Sequence, residues 1–231
     1  MIAIISDIHG NYPALKAVLD DIDNRNIKNI ICLGDTSGYY CMINECIDAL
    51  VERNIFSLKG NHDYYLISGE GCPRSNSANS CLEYQMSILK PNNKIWLENL
   101  RSSSLIIDDK HFVHGGWNDE LDEYLYEVSK DYFQNRNGKY FFSGHTHVPI
   151  IFNMKNKIYC NPGSVGQPRD GNPKSSYAIF NNGKVENVRV NYDIDVIAFY
   201  MKKSGFDKYF YENLYLGSKI GGEIAATFVM R

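Results

Sequence analysis

The chain opens on an unbroken apolar run, Met1–Ile5, of the kind a strand shows when both of its faces are buried. An Ala-Leu-x-x-Val-Leu-x-x-Ile pattern follows, with Pro13 near its start. Apolar positions three and four apart behind a first-turn proline predict a helix. The alternation continues with Lys28–Leu33 as a strand, Cys41–Glu52 as a helix and Asn54–Leu58 as a third strand. His62–Ser68, Ser75–Leu89 and Pro91–Leu100 read as further helices. Beyond residue 100 the pattern changes to short strands: Ser103–Asp108, His111–His114, Lys139–Ser143, Ile150–Met154, Lys157–Cys160, Ser176–Asn181 and Lys184–Val190. Asn182-Gly183 marks a hairpin between the last two. Asp195–Lys203 predicts a weaker helix, and from Gly205 no period dominates. Alternating strands and helices followed by hairpins imply an α/β protein, either one mixed sheet or two stacked sheets covered by helices. No repeat or Pro/Gly/Ser-rich linker divides the chain, so a single domain over residues 1–231 is expected, with the structure of segment 191–231 left open.

The polar positions change the picture. Five of the six histidines lie in short clusters, each directly after an apolar run: Asp7-Ile-His9, Gly34-Asp35, Gly60-Asn61-His62-Asp63, His114-Gly-Gly and Gly144-His145-Thr-His147. Open α/β sheets gather ligand sites at the C-terminal ends of their strands, where these clusters fall. Asp7 and His9 are two apart, so an extended strand end would turn both to one face, and the same holds for His145 and His147. Each pair can grip one cation or divide between two. Asp35 has two carboxylate oxygens and can bridge a metal pair separated by about 3.5–4 Å. Asn61 adds a neutral amide oxygen. His62 precedes Asp63, whose carboxylate can orient the imidazole and raise its pKa, which suits a proton donor better than a ligand. His111 belongs to no cluster and reads as an ordinary histidine. Oxygen and nitrogen donors without thiolate favour Mn²⁺, with Fe, Zn²⁺, Co²⁺ or Ni²⁺ as the other candidates.

Bulk composition narrows the function classes. The 231 residues are 44% apolar and 22% charged, with a net charge of −3, so a general nucleic-acid or membrane-surface binder is not expected. The six cysteines, at 32, 41, 46, 72, 81 and 160, form no metal-type spacing and read as buried reduced thiols. No segment approaches the roughly 18 apolar residues of a membrane span. The start of the chain lacks the basic flank of a signal peptide, and a cytoplasmic location is expected.

The series D-x-H, G-D, G-N-H-D, H-G and G-H-T-H closely resembles the calcineurin-like metallophosphoesterase superfamily. The stretch Asn161-Pro-Gly-Ser-Val-Gly-Gln-Pro-Arg169-Asp resembles a bacterial and archaeal branch grouped with diadenosine tetraphosphatases and serine/threonine protein phosphatases. The match spans about residues 1–190. It implies a four-layer α/β/β/α sandwich of two mixed sheets flanked by helices. It also implies one divalent metal held by Asp7, His9, Asp35 and His147, and a second held by Asp35, Asn61, His114 and His145. A bridging hydroxide would be the nucleophile, His62 the general acid and Asp63 its partner.

The departures bear on substrate. The phosphatases of that branch carry an arginine soon after the second aspartate and another just before G-N-H, where this chain has Thr36-Ser-Gly-Tyr-Tyr40 and Lys59. Lysine grips a phosphate dianion only as a point charge. Arg169 can supply part of that grip if its loop folds over the site; otherwise it is a surface arginine in a Pro/Gly-rich turn. Gly163 and Ser164 can offer backbone N–H groups to phosphate, although this is no P-loop. Tyr39, Tyr40, Tyr64 and Tyr65 flank the motifs and either stack on a substrate or serve as packing, the commoner case. The expected activity is hydrolysis of a phosphate ester by a binuclear enzyme, as a phosphodiesterase, a phosphatase or both. The alternatives are a phosphomonoesterase acting on phosphoprotein and a non-catalytic scaffold on the same fold.

Overall fold

The computed structural model describes residues 1–100 and 102–230; Arg231, the last residue of the segment 191–231, lies outside them. The first half runs β1 (Ile2–Ile5), α1 (Tyr12–Asn24), β2 (Asn29–Cys32), α2 (Ile43–Glu52) and β3 (Phe56–Ser57). Then come α3 (Asn61–Ser68), α4 (Asn76–Ile88) and α5 (Pro91–Glu98). The second half holds β4 (Ser104–Ile107), β5 (Lys110–Val113), β6 (Glu127–Val128), α6 (Lys130–Gln134) and β7 (Tyr140–Ser143). It continues through β8 (Ile150–Asn153), β9 (Ile158–Asn161), β10 (Ser175–Asn181), β11 (Lys184–Val190) and α7 (Ile194–Lys203). A 3-10 turn at Lys208–Phe210, α8 (Asn213–Leu216) and β12 (Phe228–Val229) close the chain.

The strands form two five-stranded mixed sheets, ordered β11-β10-β1-β2-β3 and β4-β5-β7-β9-β8. Apolar side chains on alternate faces set the layers. Ile4 and Ile31 from the first sheet meet Phe112, Phe142 and Cys160 from the second, making the inter-sheet core. Their neighbours Ala3 and Ile5 point the other way, onto Leu15, Val18 and Ile22 of α1. Phe141 and Tyr159 point outward from the second sheet onto Phe133 of α6 and Trp117. The result is the expected four-layer order, with a thin fourth layer. The continuous apolar runs follow from burial on both faces.

Two features place the site. β1, β2 and β3 are mutually parallel, as are β5, β7 and β9, so six strand ends deliver their following loops to one edge. The loop after β9 then crosses back to the first sheet: Val165 N–H donates to Ser6 O and Gly166 N–H to Asp7 O, both at 2.9 Å.

Several expectations need correction. Asn54–Leu58 shortens to Phe56–Ser57 as a strand. β6 and β12 were not anticipated, and they pair with each other in parallel, Phe228 against Glu127 and Val229 against Val128. Two-residue strands carry too few positions to show a period. Asn182 (φ 47°) and Gly183 (φ 81°) adopt the left-handed pair that a two-residue hairpin requires. All six cysteines are free and buried.

A Cβ placed on Gly166 would lie 1.8 Å from Ile8 O, backbone that cannot move without shifting the Asp7–His9 loop. Gly166→Ala is therefore expected to cost roughly 1–3 kcal/mol, as overpacking does. Urea denaturation measures it, and a change within about 0.5 kcal/mol would contradict the close approach.

Candidate metal centre and active site

The backbone at the site is unusual before any side chain is considered. Asp7, His9, Asp35, His145 and His147 all have positive φ, between 54° and 66°. Left-handed backbone costs a non-glycine residue roughly 1–2 kcal/mol. Asp7 and His9 thus leave β1 in a tight turn, and the same-face argument from extended geometry does not hold for either pair. Asp7 and His9 do meet, but with His147; His145 belongs with Asp35 and His114. The pair after β7 is the one that divides.

In the first group His9 Nδ1–H donates to Ser37 O and His147 Nδ1–H to Gln167 O, each at 2.7 Å. With those hydrogens committed, both Nε2 atoms carry lone pairs, yet they face each other at 3.0 Å. Asp7 Oδ1 lies 3.4 Å from the same His147 nitrogen. In the second group His114 Nδ1–H donates to Leu33 O at 3.0 Å, which leaves its Nε2 lone pair 3.0 Å from Asn61 Oδ1. The His9–His147 contact cannot be a hydrogen bond while both imidazoles are neutral, nor can that of His114 with the oxygen of Asn61. Asp35 stands between the groups: its Oδ2 is 3.7 Å from His9 Nε2 and 3.5 Å from His114 Nε2, and is buried without a hydrogen-bond partner. His145 Nε2 is likewise buried, with Asp122 Oδ1 3.4 Å away. Converging lone pairs with no hydrogens between them fit divalent cations. Asp7, His9 and His147 would hold one ion, Asn61, His114 and His145 the other, and Asp35 both.

The electrostatics agree. Burial pushes the Asp7 carboxyl up to about 7. Asp35 is held well above the usual carboxylate range by burial and then by the charges of Asp63 and Asp7. Burial depresses His9, His114 and His147 far below the ordinary imidazole value, so they stay neutral.

Asp63 does not have the role expected of it. Its carboxylate accepts from the N–H groups of Asp35, Gly60 and Ser37 and from the Ser37 hydroxyl, at 2.9–3.0 Å. It braces the Asp35 turn and leaves His62 alone. His62 Nδ1 is buried and unpartnered, and burial together with Arg169 pushes this imidazole down to about 3, opposite to the expected rise. Gly163 and Ser164 are also structural. Gly163 N–H donates to Asn161 Oδ1, and the Ser164 hydroxyl donates to Asp7 O.

A cavity of about 400 Å³ opens beside His62. Tyr39 and Arg169 line it, and the Arg169 guanidinium sits 5.4 Å above the Tyr39 ring. The loop of Arg169 therefore does fold over the site. Tyr39 also packs against His9 and His62 at 4.9 and 5.0 Å between ring centroids. Tyr40 is instead core, bonding Gln167 and Asn213 through its hydroxyl. Tyr64 pairs with Glu70 and does not line the cavity, nor do Tyr65 and Lys59. Sequence reasoning missed Arg74, Asp122, Tyr124 and Tyr126. Asp122 Oδ1 is 3.4 Å from His145 Nε2 and pairs with Arg74, and the Tyr124 ring covers His145 at 3.8 Å. They lie in irregular loops where no spacing marks them.

Fold and donors together define a protein built to hold divalent cations at the shared edge of two stacked sheets. The chain belongs to the calcineurin-like phosphoesterase superfamily, whose domain model matches residues 1–184, a family of divalent-metal-dependent phosphoesterases. It is 37% identical to the uncharacterized protein MJ0912 of Methanocaldococcus jannaschii, over 94% of this chain and 98% of that one. It is also similar to the crystal structure of a metallophosphoesterase from Sphaerobacter thermophilus, with 30% identity, a TM-score of 0.82, and 94% and 99% of the two chains covered. The hypothetical protein PH1004 of Pyrococcus horikoshii OT3 shares the fold, with a TM-score of 0.79 at 21% identity over 95% of this chain and 100% of that one. Among the described residues, no helix is long and apolar enough to cross a membrane.

The raised carboxyls of Asp7 and Asp35 must both lose their protons to bind cations, whereas the neutral histidines lose none. A cation has to displace those protons, so metal affinity should fall as pH drops, by at least about tenfold per pH unit below 7. Calorimetric titration with Mn²⁺ in buffers of different ionisation enthalpy should show more proton release at pH 6.5 than at pH 8.5. Equal release at both would contradict the raised Asp7 value.

Proposed function

We propose that the protein is a binuclear metal-dependent phosphoesterase that hydrolyses esters carrying an organic substituent beside the scissile phosphate. The observation that carries this reading is the opposition of His9 Nε2 to His147 Nε2, and of His114 Nε2 to Asn61 Oδ1, on either side of the unbonded Asp35 Oδ2. The two ions, with Mn²⁺ favoured, would polarise the phosphoryl group and make water nucleophilic at neutral pH.

The chain's own residues supply the rest. Arg169 makes its hydrogen bonds to Gln167 Oε1 and, among the described residues, no ion pair with a carboxylate. A buried guanidinium without a counter-charge is costly, and a phosphate oxygen would provide one. Arg169 thus takes over the grip that Thr36–Tyr40 and Lys59 do not provide. His62 faces the same cavity and is neutral in the free protein. Proton donation to a leaving oxygen requires a bound phosphate to raise its pKa, which an adjacent negative charge does. Tyr39 closes the cavity over His9 and His62 and limits water there. The tyrosine walls accept either the leaving group of a monoester or the second substituent of a diester.

Chelation should abolish hydrolysis and Mn²⁺ should restore it. Asp35→Asn, which weakens both cation sites, should be the most damaging ligand change; full activity of that variant in chelator would sink the two-metal reading.

His62→Ala should keep metal content near wild type and slow turnover by roughly 10²–10⁴-fold for alkyl leaving groups, but less for p-nitrophenolate, which departs without a proton. Lost metal would instead make His62 a ligand. Arg169→Ala should lower kcat/KM on p-nitrophenyl phosphate by about 10–100-fold, and on bis-p-nitrophenyl phosphate by less, because the diester carries one charge fewer. Equal losses on both would remove Arg169 from phosphate recognition.

A further inference from the structure

The family match ends at residue 184, yet the reaction cavity is completed by residues well beyond it: Lys219, Ile220 and Glu223 line its outer wall. This wall is tied to the site loop. Ala225 N–H donates to Arg169 O at 2.7 Å and Gly171 N–H to Gly217 O at 2.9 Å. Gly217 has φ of 64°, and a Cβ there would lie 2.4 Å from the Asn172 backbone, so the two segments pass at contact distance. Asn213 donates to the Tyr40 hydroxyl, which also accepts from Gln167, the residue that holds Arg169. At its far end β12 is hydrogen-bonded to β6, just after Tyr124 and Tyr126 of the opposite wall.

The charges in this wall are unequally placed. Lys219 is bonded to Glu223 at 2.7 Å, with the lysine side chain 32% exposed and the carboxylate 71% exposed. Glu223 is thus the more solvated partner, and it neutralises Lys219 only in part. Arg169 deeper in the cavity has no carboxylate partner among the described residues. Stacked tyrosines 124 and 126, 5.5 Å apart and nearly parallel, give the same cavity an apolar side, and Arg74, paired with Asp122, lies over the Tyr124 ring.

We propose that the C-terminal segment is the specificity element of this site, selecting phosphate esters whose organic substituent carries a second negative charge at its far end. Lys219 attracts that charge and Glu223 moderates the attraction. The inference rests on the phosphoesterase reading, because Arg169 and His62 are assigned the reacting phosphate.

The test compares phenyl phosphate with 4-carboxyphenyl phosphate on the metal-loaded full chain, as the ratio of kcat/KM for the charged over the uncharged ester. Lys219→Ala should lower that ratio about fivefold and Glu223→Gln should raise it by a similar factor, the size of an exposed charge interaction. The affinity for 4-phosphonobenzoate relative to phenylphosphonate, neither of which is hydrolysed, should likewise fall in Lys219→Ala and rise in Glu223→Gln. A shift of both variants in one direction, or no shift in either, overturns the proposal. Wild-type protein that loads metal and binds both phosphonates but hydrolyses neither ester would overturn the phosphoesterase reading, and the binding ratios would still decide the role of Lys219.

Discussion

The constraint on which this end of the molecule depends is the convergence of lone pairs that have no hydrogens between them. His9 and His147 each spend their one N–H on a backbone carbonyl and turn acceptor nitrogens on each other. The Asp35 oxygen between them and His114 has no donor at all. At buried positions such an arrangement is unfavourable until a cation or protons compensate it. The raised carboxyl pKa values are the same fact seen as protonation. A surrounding frame must hold these groups together against that repulsion, and the rest of the fold is arranged to do so.

The frame works through the backbone. The tautomers of His9, His114 and His147 are set by carbonyls of neighbouring loops, from Ser37, Leu33 and Gln167. Those loops are in turn held by Asp63, which gathers three backbone N–H groups, and by the bonds from Val165 and Gly166 to the β1 loop. Five site residues adopt left-handed backbone, a local cost tolerated only where the surroundings over-determine it. Two stacked sheets with an apolar interior give that rigidity, since a packed core transmits strain instead of relaxing it.

What the sequence revealed follows from how local each signal is. Strand positions and donor clusters are local, so both the four-layer order and the grouping of donors at strand ends could be read from patterns of a few residues. The partner of His62 could not. Adjacency in sequence suggested Asp63, but the helix that begins at Asn61 turns the aspartate toward the Asp35 loop. The spacing argument for Asp7 and His9 named residues that do meet, while the geometry behind it was wrong, because an extended strand end was assumed where the chain has φ near 55°. Arg169 needed the path of a long loop, which spacing does not encode. Asp122 and Tyr124 are contributed by irregular chain whose position comes only from tertiary contacts.

The same reasoning separates the two halves of the reaction cavity. At its floor the cavity meets the donor clusters through His62, and those short motifs are under severe local constraint: a shift of one residue in Asp35 or His147 would turn the donor atom away. Its outer wall is made by Lys219 and Glu223, on a segment with no period of its own that is placed by the backbone of Arg169, Gly171 and Glu127. Side chains there can change without disturbing a lone pair at the floor. On the proposed reading, cation binding and substrate choice would be carried by separate parts of the chain that meet at Gln167, whose carbonyl orients His147 and whose amide oxygen holds Arg169. Replacing the Gln167 side chain would free Arg169 while the carbonyl that orients His147 stayed in place, so even at this junction the two can be altered separately.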